Sequence, residues 1–206
     1  MTATGTAAYD AWATLPPTVA AAVDLARRTG FEMSCRPEQG ELLRILARGL
    51  DAGVIGETGT GCGVGLAWLA SAAHPGARIV SIERDPERAA AVTRLFHDDP
   101  RVRVCQGDWS ELIGHGPFDL LVLDGGGQGK RGDPPLDPLA WMRPGGLIVI
   151  DDFTPSIGWP PMYGDQVDAA RLYWLDHPAL RAAQILLAPD AATVVATVVG
   201  LPSSLD

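Results

Sequence analysis

Residues 53–65 read Gly53-Val54-Ile55-Gly56-Glu57-Thr58-Gly59-Thr60-Gly61-Cys62-Gly63-Val64-Gly65. A short apolar run ends in Glu57 and breaks into glycines at 59, 61, 63 and 65, after which Leu66-Ala67-Trp68-Leu69-Ala70 reads as helix. A strand, a glycine turn and a helix form a cradle for a nucleotide. Glycine admits backbone dihedrals that a Cβ forbids and lets a ligand approach the main chain. The spacing is not the dinucleotide fingerprint G-x-G-x-x-G. Counted from Gly59 the third glycine position holds Val64, and counted from Gly61 it holds Leu66. What stands is an acid followed by G-x-G-x-G.

Further acids follow in order. The run Ala77 to Ile82 ends in Glu83 and Arg84, twenty residues past Gly63. An acid at the end of a second strand can accept both hydroxyl hydrogens of a ribose, in NAD and other adenosine cofactors alike. Val102-Arg103-Val104-Cys105 leads to Asp108 and Trp109, an acid for an adenine amino group and an aromatic to cover the ring. Asp108 alone would read as a helix cap; following Glu57, the glycines and Glu83, it reads as part of a cofactor edge. The pattern predicts strands at 53–57, 78–83, 101–105, 118–124 and 146–151, with helices near 63–74, 86–97 and 134–142 between them. That alternation is the signature of a parallel α/β sheet.

Ahead of the sheet, 17–29 and 37–49 read as helices, the second with Leu42, Leu43, Leu46 and Leu50 as core at helical spacing. Beyond Asp152 the prolines and glycines of 153–164 predict a loop, then a helix at about 165–176 with Val167, Ala170, Leu172 and Leu175 on its apolar side. Two apolar runs, 182–188 and 192–199, flank Pro189-Asp190 and read as a hairpin; 201–206 reads as a frayed tail.

Composition bounds the rest. A chain of 206 residues, 47% hydrophobic and 20% charged, reads as one soluble domain with a full core: helices over 1–50, an α/β core over 51–200, then the tail. A net charge of −9 disfavours a broad phosphate-binding surface, so no nucleic-acid partner is expected. Cys35, Cys62 and Cys105 have neither disulfide nor zinc spacing, which points to a cytoplasmic protein. No signal-peptide pattern opens the chain and no apolar stretch is long enough to span a bilayer, so no membrane partner is expected. His97, His115 and His177 read as surface residues, and His74 as a residue near a helix end.

The acid followed by G-x-G-x-G, with Glu83 and Asp108 behind it, resembles the cofactor loop of class I S-adenosylmethionine-dependent methyltransferases. The resemblance implies a doubly wound, Rossmann-like, seven-stranded and mostly parallel sheet of order 3-2-1-4-5-7-6 with a C-terminal antiparallel hairpin. It implies S-adenosylmethionine bound by Met33, Glu57, Gly59, Gly61, Gly63, Glu83, Arg84, Asp108, Trp109 and Asp124. Phe118 to Asp124, then Met142 to Asp152 through Pro144-Gly145-Gly146, is similar to the catechol and caffeoyl-CoA O-methyltransferase group. Met33-Ser34-Cys35-Arg36-Pro37-Glu38-Gln39-Gly40 resembles that group's segment closing over the cofactor.

By position, the group's divalent-cation ligands fall on Asp124, Asp151 and Asp152, which as hard oxygen donors suit Mg²⁺. The group carries a lysine soon after the fourth-strand acid. Here Gly125-Gly126-Gly127-Gln128-Gly129-Lys130 displaces it to Lys130, the candidate catalytic residue beside Asp124. Gly127 to Gly132 matches G-x-G-x-x-G by chance, since Pro134-Pro135 follow and no βαβ unit surrounds it.

Neighbouring strand residues face opposite ways, so only a bend lets Asp151 and Asp152 reach one ion. The other reading has Asp152 capping the next loop and Asp124 contacting substrate without metal. The leading expectation is an O-methyltransferase acting on a small hydroxylated, aromatic acceptor, with Trp159, Met162 and Tyr163 over its pocket. Alternatives are a tRNA-modifying methyltransferase using Lys130, Arg131 and Arg143, an NAD-binding oxidoreductase, and a non-catalytic cofactor-binding protein. The resemblance also implies a homodimer through the helices before residue 50 and the 153–164 loop, with Trp12 and Leu15 reading as exposed.

Overall fold

The computed structural model describes residues 5–130 and 132–200. The tail at 201–206 and Arg131 lie outside them. A 3-10 turn at Ala7–Ala11 precedes α1 (Pro17–Thr29) and α2 (Pro37–Arg48). The α/β core follows as β1 (Val54–Thr58), α3 (Val64–Ala72), β2 (Arg78–Glu83), α4 (Pro86–Leu95), β3 (Val102–Gln106) and β4 (Phe118–Leu123). The chain continues through α5 (Pro138–Trp141), β5 (Met142–Phe153), a ribbon of β6 (Met162–Tyr163) and β7 (Gln166–Val167), α6 (Ala169–Asp176), β8 (Leu180–Ala188) and β9 (Ala191–Val198).

The seven-stranded sheet runs β3-β2-β1-β4-β5-β9-β8. With the separate ribbon left out of the count, this is the order 3-2-1-4-5-7-6 with a closing antiparallel hairpin. Strands β1 to β5 pair in parallel, so their carboxyl ends share one edge. Both faces are covered, as a parallel sheet requires. Ile55, Ile79, Leu120 and Val122 pack with Val23, Leu43, Trp68 and Val92 on one side. Val80, Ile82, Leu121 and Ile148 pack with Leu112, Trp141 and Trp174 on the other. Leu120 and Leu121 thus serve opposite cores, the period-two rule of a strand.

Two expected helices and one expected surface differ. The helix expected over 134–142 is only Pro138–Trp141, because Met142 pairs with Phe118 and draws the chain into β5 early. The helix expected over 165–176 starts at Ala169, capped by Asp168; Val167 belongs to the ribbon and is exposed. Trp12 and Leu15 are half-buried against the chain's own core, Trp12 meeting Trp68 edge-on at 6.4 Å, so they are not a free surface. Of the leucines expected in the core there, Leu43 on α2 is buried, while Leu42 and Leu46 on α2 and Leu50 just past its end are half-buried. Among the described residues no helix is long and apolar enough to cross a membrane.

Helix α2 sits close to α3 because Gly40 faces Trp68. A Cβ there would lie 2.2 Å from Trp68 Nε1, which itself donates to Tyr9 Oη at 2.8 Å. Gly40→Ala should lower the urea stability by about 1–3 kcal/mol through overpacking. Gly114→Ala, where a Cβ meets nothing within 4 Å, should be close to neutral. Equal midpoints for the two variants would contradict this packing.

Candidate functional site

The carboxyl edge carries a cavity of about 510 Å³, lined among others by Met33, Gly59, Gly61, Glu83, Arg84, Asp108, Trp109, Asp124 and Lys130. This is ample for a nucleoside cofactor. Its floor is the glycine turn after β1. Gly59 and Gly61 take φ of 82° and 55°. A Cβ on Gly59 would lie 2.4 Å from Gly125 Cα, so the turns after β1 and β4 touch backbone to backbone. Thr58 O accepts from the backbone N–H groups of Asp124 at 3.1 Å and Gly125 at 2.6 Å, which locks the two turns together.

Glu83 lies at the cavity wall, buried. Its Oε2 accepts from Gly61 N at 2.8 Å, and its Oε1 from Asp85 N and Arg88 Nη2, both at 2.9 Å. The acid therefore holds the glycine turn before any ligand arrives. Glu57 and Gly63, by contrast, do not line the cavity. Glu57 lies beneath the turn, accepting from Ser81 Oγ, which is itself 2.6 Å from Thr60 Oγ1. A Cβ at Gly65 would come within 2.5 Å of Glu57 Oε1, so this carboxyl is roofed by the start of α3. Burial pushes Glu57 up to about 8, Ser81 opposing and Glu83 adding to the rise. Gly63, at φ 82°, opens α3.

Asp108 accepts from Ser110 N at 3.0 Å, while Asp108 N donates to Glu111 at 2.9 Å. Asp108 thus caps the 3-10 turn Trp109–His115 as well as lining the cavity, and its hydrogen bonds hold its carboxyl below the usual range. The Trp109 ring stacks on Trp141 at 5.9 Å and closely covers Gly126 and Gly127.

Asp124, Asp151 and Asp152 come together, with one carboxylate oxygen from each within 4.8 Å of the others. Asp152 makes this possible. Its φ is 66°, and the β5–β9 register slips between Ile150 and Phe153. Asp151 and Asp152 of β5 there oppose the single Thr193 of β9, a bulge that breaks the strand's alternation. Burial, together with the neighbouring acids, pushes Asp124 well up and Asp151 to about 7. Oxygens around an octahedral Mg²⁺ are about 3–4 Å apart, so a small contraction of this triad fits that ion.

Lys130 returns to the triad despite its displaced position. Its Nζ donates to the main-chain oxygens of Asp151 and Asp152, the latter at 2.8 Å, and lies 3.8 Å from the Phe153 ring centroid. Burial lowers it to about 8 against the pull of the surrounding acids. Gln128 fixes this loop, donating to Leu123 O at 2.7 Å and Asp151 O at 3.2 Å, while Trp174 Nε1 donates to Gln128 O at 2.8 Å. A second cavity, of about 500 Å³, has Lys130, Asp152, Tyr163, Asp168 and Arg171 on its wall. Lys130 and Asp152 belong to both cavities.

Arg143 opens β5 and pairs with Asp119, roughly 25 Å of strand away from Asp151 at about 3.3 Å per residue. Lys130 and Arg143 therefore form no common basic patch. Trp159 lines neither cavity. The sequence reading missed Gln128, the Arg88 partner of Glu83, and Arg171. Arg171 is fully buried beside Asp168 and 4.8 Å from the Phe153 ring. The Asp168 cap three residues ahead was the one local signal for it.

This topology and edge define a class I methyltransferase fold, and a methyltransferase-domain family model matches residues 57–153. In sequence the chain is similar to O-methyltransferases. It is 29% identical over 133 residues to a catechol O-methyltransferase of Niastella koreensis, covering 58% of each protein. The match thus spans little more than half of that relative's length. The fold is shared with the O-methyltransferase TomG of Streptomyces achromogenes, solved with S-adenosylmethionine (TM-score 0.71, 21% identity, 95% of this chain and 96% of that one). It is shared too with an O-methyltransferase of Bacillus cereus solved with S-adenosylhomocysteine (TM-score 0.70, 21% identity, 96% and 98%).

From about pH 4.5 to 8 the folded chain keeps a proton on Glu57 that the unfolded chain has released. Stability from this group therefore falls as pH rises through that window. In the ligand-free protein, Glu57→Gln should raise the melting temperature at pH 8, with the gain shrinking toward pH 5. A gain that grows on acidification would contradict the burial of this carboxyl.

Proposed function

We propose that the chain is an S-adenosylmethionine-dependent O-methyltransferase that acts, with a divalent cation, on a small hydroxylated, aromatic acceptor. The observation that carries this reading is the meeting of two cavities at Lys130 and Asp152, beside the acid triad. The larger cavity suits the cofactor. Glu83 Oε2, which accepts one hydrogen bond, keeps a lone pair for a ribose hydroxyl. Asp108 and Trp109 serve the adenine, and the Gly59–Gly61 turn leaves room for the main chain to touch the ligand. Met33, Arg84 and Asp124 complete its wall, while Glu57 and Gly63 act from below by shaping the turn. The smaller cavity suits the acceptor, with Tyr163 at its rim.

S-adenosylmethionine, when bound, supplies an electrophilic methyl group. Mg²⁺, when bound by Asp124, Asp151 and Asp152, would lower the pKa of an acceptor hydroxyl and orient it. Lys130 stands where a hydroxyl proton would leave, and its two main-chain hydrogen bonds fix Nζ at the junction. Holding acceptor and methyl donor on either side of that junction turns the transfer into a step between pre-positioned groups. The separation of Lys130 from Arg143 and the net charge of −9 support a small-molecule partner over tRNA. Three free cysteines support a cytoplasmic site of action.

The homodimer is part of this proposal, through the helices before residue 50 and the 153–164 loop, where Ile45, Ile157, Trp159 and Tyr163 are exposed. Light scattering at micromolar concentration should give twice the 21.7 kDa chain mass, and a single-chain mass would remove the dimer.

Calorimetry should detect S-adenosylhomocysteine binding that Glu83→Ala weakens by about 1.5–3 kcal/mol, the worth of charge-assisted hydrogen bonds. EDTA should abolish methyl transfer to a catechol while leaving that binding nearly intact, and Mg²⁺ should restore turnover. Full turnover in EDTA would overturn the metal-assisted reading.

A further inference from the structure

The triad also lines a small chamber of about 20 Å³, whose wall does not include Lys130. That is room for about one water, since a site needs some 10–15 Å³. Its polar walls are Asp124, Asp151, Asp152, Arg36, Gln39 and Ser34, whose hydroxyl already accepts from Thr6. Gln39 is only 1% exposed, yet neither its Oε1 nor its Nε2 has a hydrogen-bond partner among the described residues. Leaving a buried carboxamide without hydrogen-bond partners is costly, so this side chain calls for an occupant of the chamber. Its placement is deliberate in packing terms. The next residue, Gly40, is pressed against Trp68 and fixes the first turn of α2 over the strand ends. Arg36 turns its Nη1 to Asp190, at 3.0 and 3.1 Å, which draws its charge toward that carboxylate.

We propose that Gln39 is a positioning residue of the metal centre, whose carboxamide hydrogen-bonds a water on the cation's chamber side. This rests on the metal-assisted reading of the site. Three carboxylates leave an octahedral ion with positions for water and acceptor oxygens. A water bound to a cation is a strong donor, and Gln39 Oε1 is an acceptor on the chamber wall. Such outer partners orient the ligands of a metal and tune its affinity. Gln39 would thus act on the site from the chamber, while Lys130 stands where the two larger cavities meet.

The test is Mn²⁺ binding, read as free Mn²⁺ by electron paramagnetic resonance, on the full chain with and without S-adenosylhomocysteine. Wild type should bind one Mn²⁺ and Asp151→Asn should lose it. Gln39→Leu and Gln39→Met should each weaken Mn²⁺ about ten-fold or more, with S-adenosylhomocysteine affinity unchanged. Gln39→Glu, which restores an acceptor oxygen, should bind Mn²⁺ at least as tightly as wild type. Wild type that binds no Mn²⁺ would overturn both the metal-assisted reading and this one. Wild type that binds, with both apolar variants binding equally well, would overturn the role of Gln39 alone. So would a loss confined to S-adenosylhomocysteine affinity, which would assign Gln39 to the cofactor.

Discussion

Two adjacent aspartates on a regular strand would face opposite sides of the sheet, one in each core. The whole carboxyl edge depends on how β5 escapes that rule. Asp152 adopts a φ of 66°, a left-handed conformation costing a non-glycine residue of order 1–3 kcal/mol. Aspartate tolerates it better than most residues. The surroundings hold it there: Asp152 N donates to Asp151 Oδ1, Lys130 Nζ donates to both main-chain oxygens, and β9 accepts the register slip. Strain at one residue thereby converts a strand end into a converging set of donors.

The rest of the edge is built by turns gripping one another. The glycine turn after β1 is held from beside by Glu83, from beneath by the Glu57–Ser81–Thr60 chain, and from the β4 side by contact with Gly125. The turn after β4 is held in the same manner by Gln128 against β4 and β5. Neither turn has regular secondary structure, yet hydrogen bonds within the protein hold both. That is how a glycine-rich edge keeps its shape without a ligand.

Much of this was legible in the chain because it is local. The apolar runs ending in Glu57, Glu83 and Asp124 mark strands by composition and their ends by charge, and the alternation with helices implies the parallel sheet. Asp85 before Pro86 announces α4 within two residues. What was not legible depends on distant partners. Met142 looks like the end of a helix until Phe118 pairs with it. Gln39 and Gln128 are ordinary polar letters in helix and loop, and only tertiary packing buries them. Arg171 is buried only because Asp168 and Gln184 close around its guanidinium. Asp108 illustrates the converse: the same acid caps a turn and lines the cavity, so two readings of one residue both describe its position.

The central claim is that the bulge at Asp151 and Asp152 exists to assemble a divalent-cation site beside the cofactor cavity. A crystal grown with S-adenosylhomocysteine and Mn²⁺, measured for anomalous scattering at the manganese edge, tests it most directly. The account predicts one strong peak bound by carboxylate oxygens of Asp124, Asp151 and Asp152, with Asp152 still in its left-handed conformation. A fully occupied cofactor cavity with no peak at the triad would contradict it.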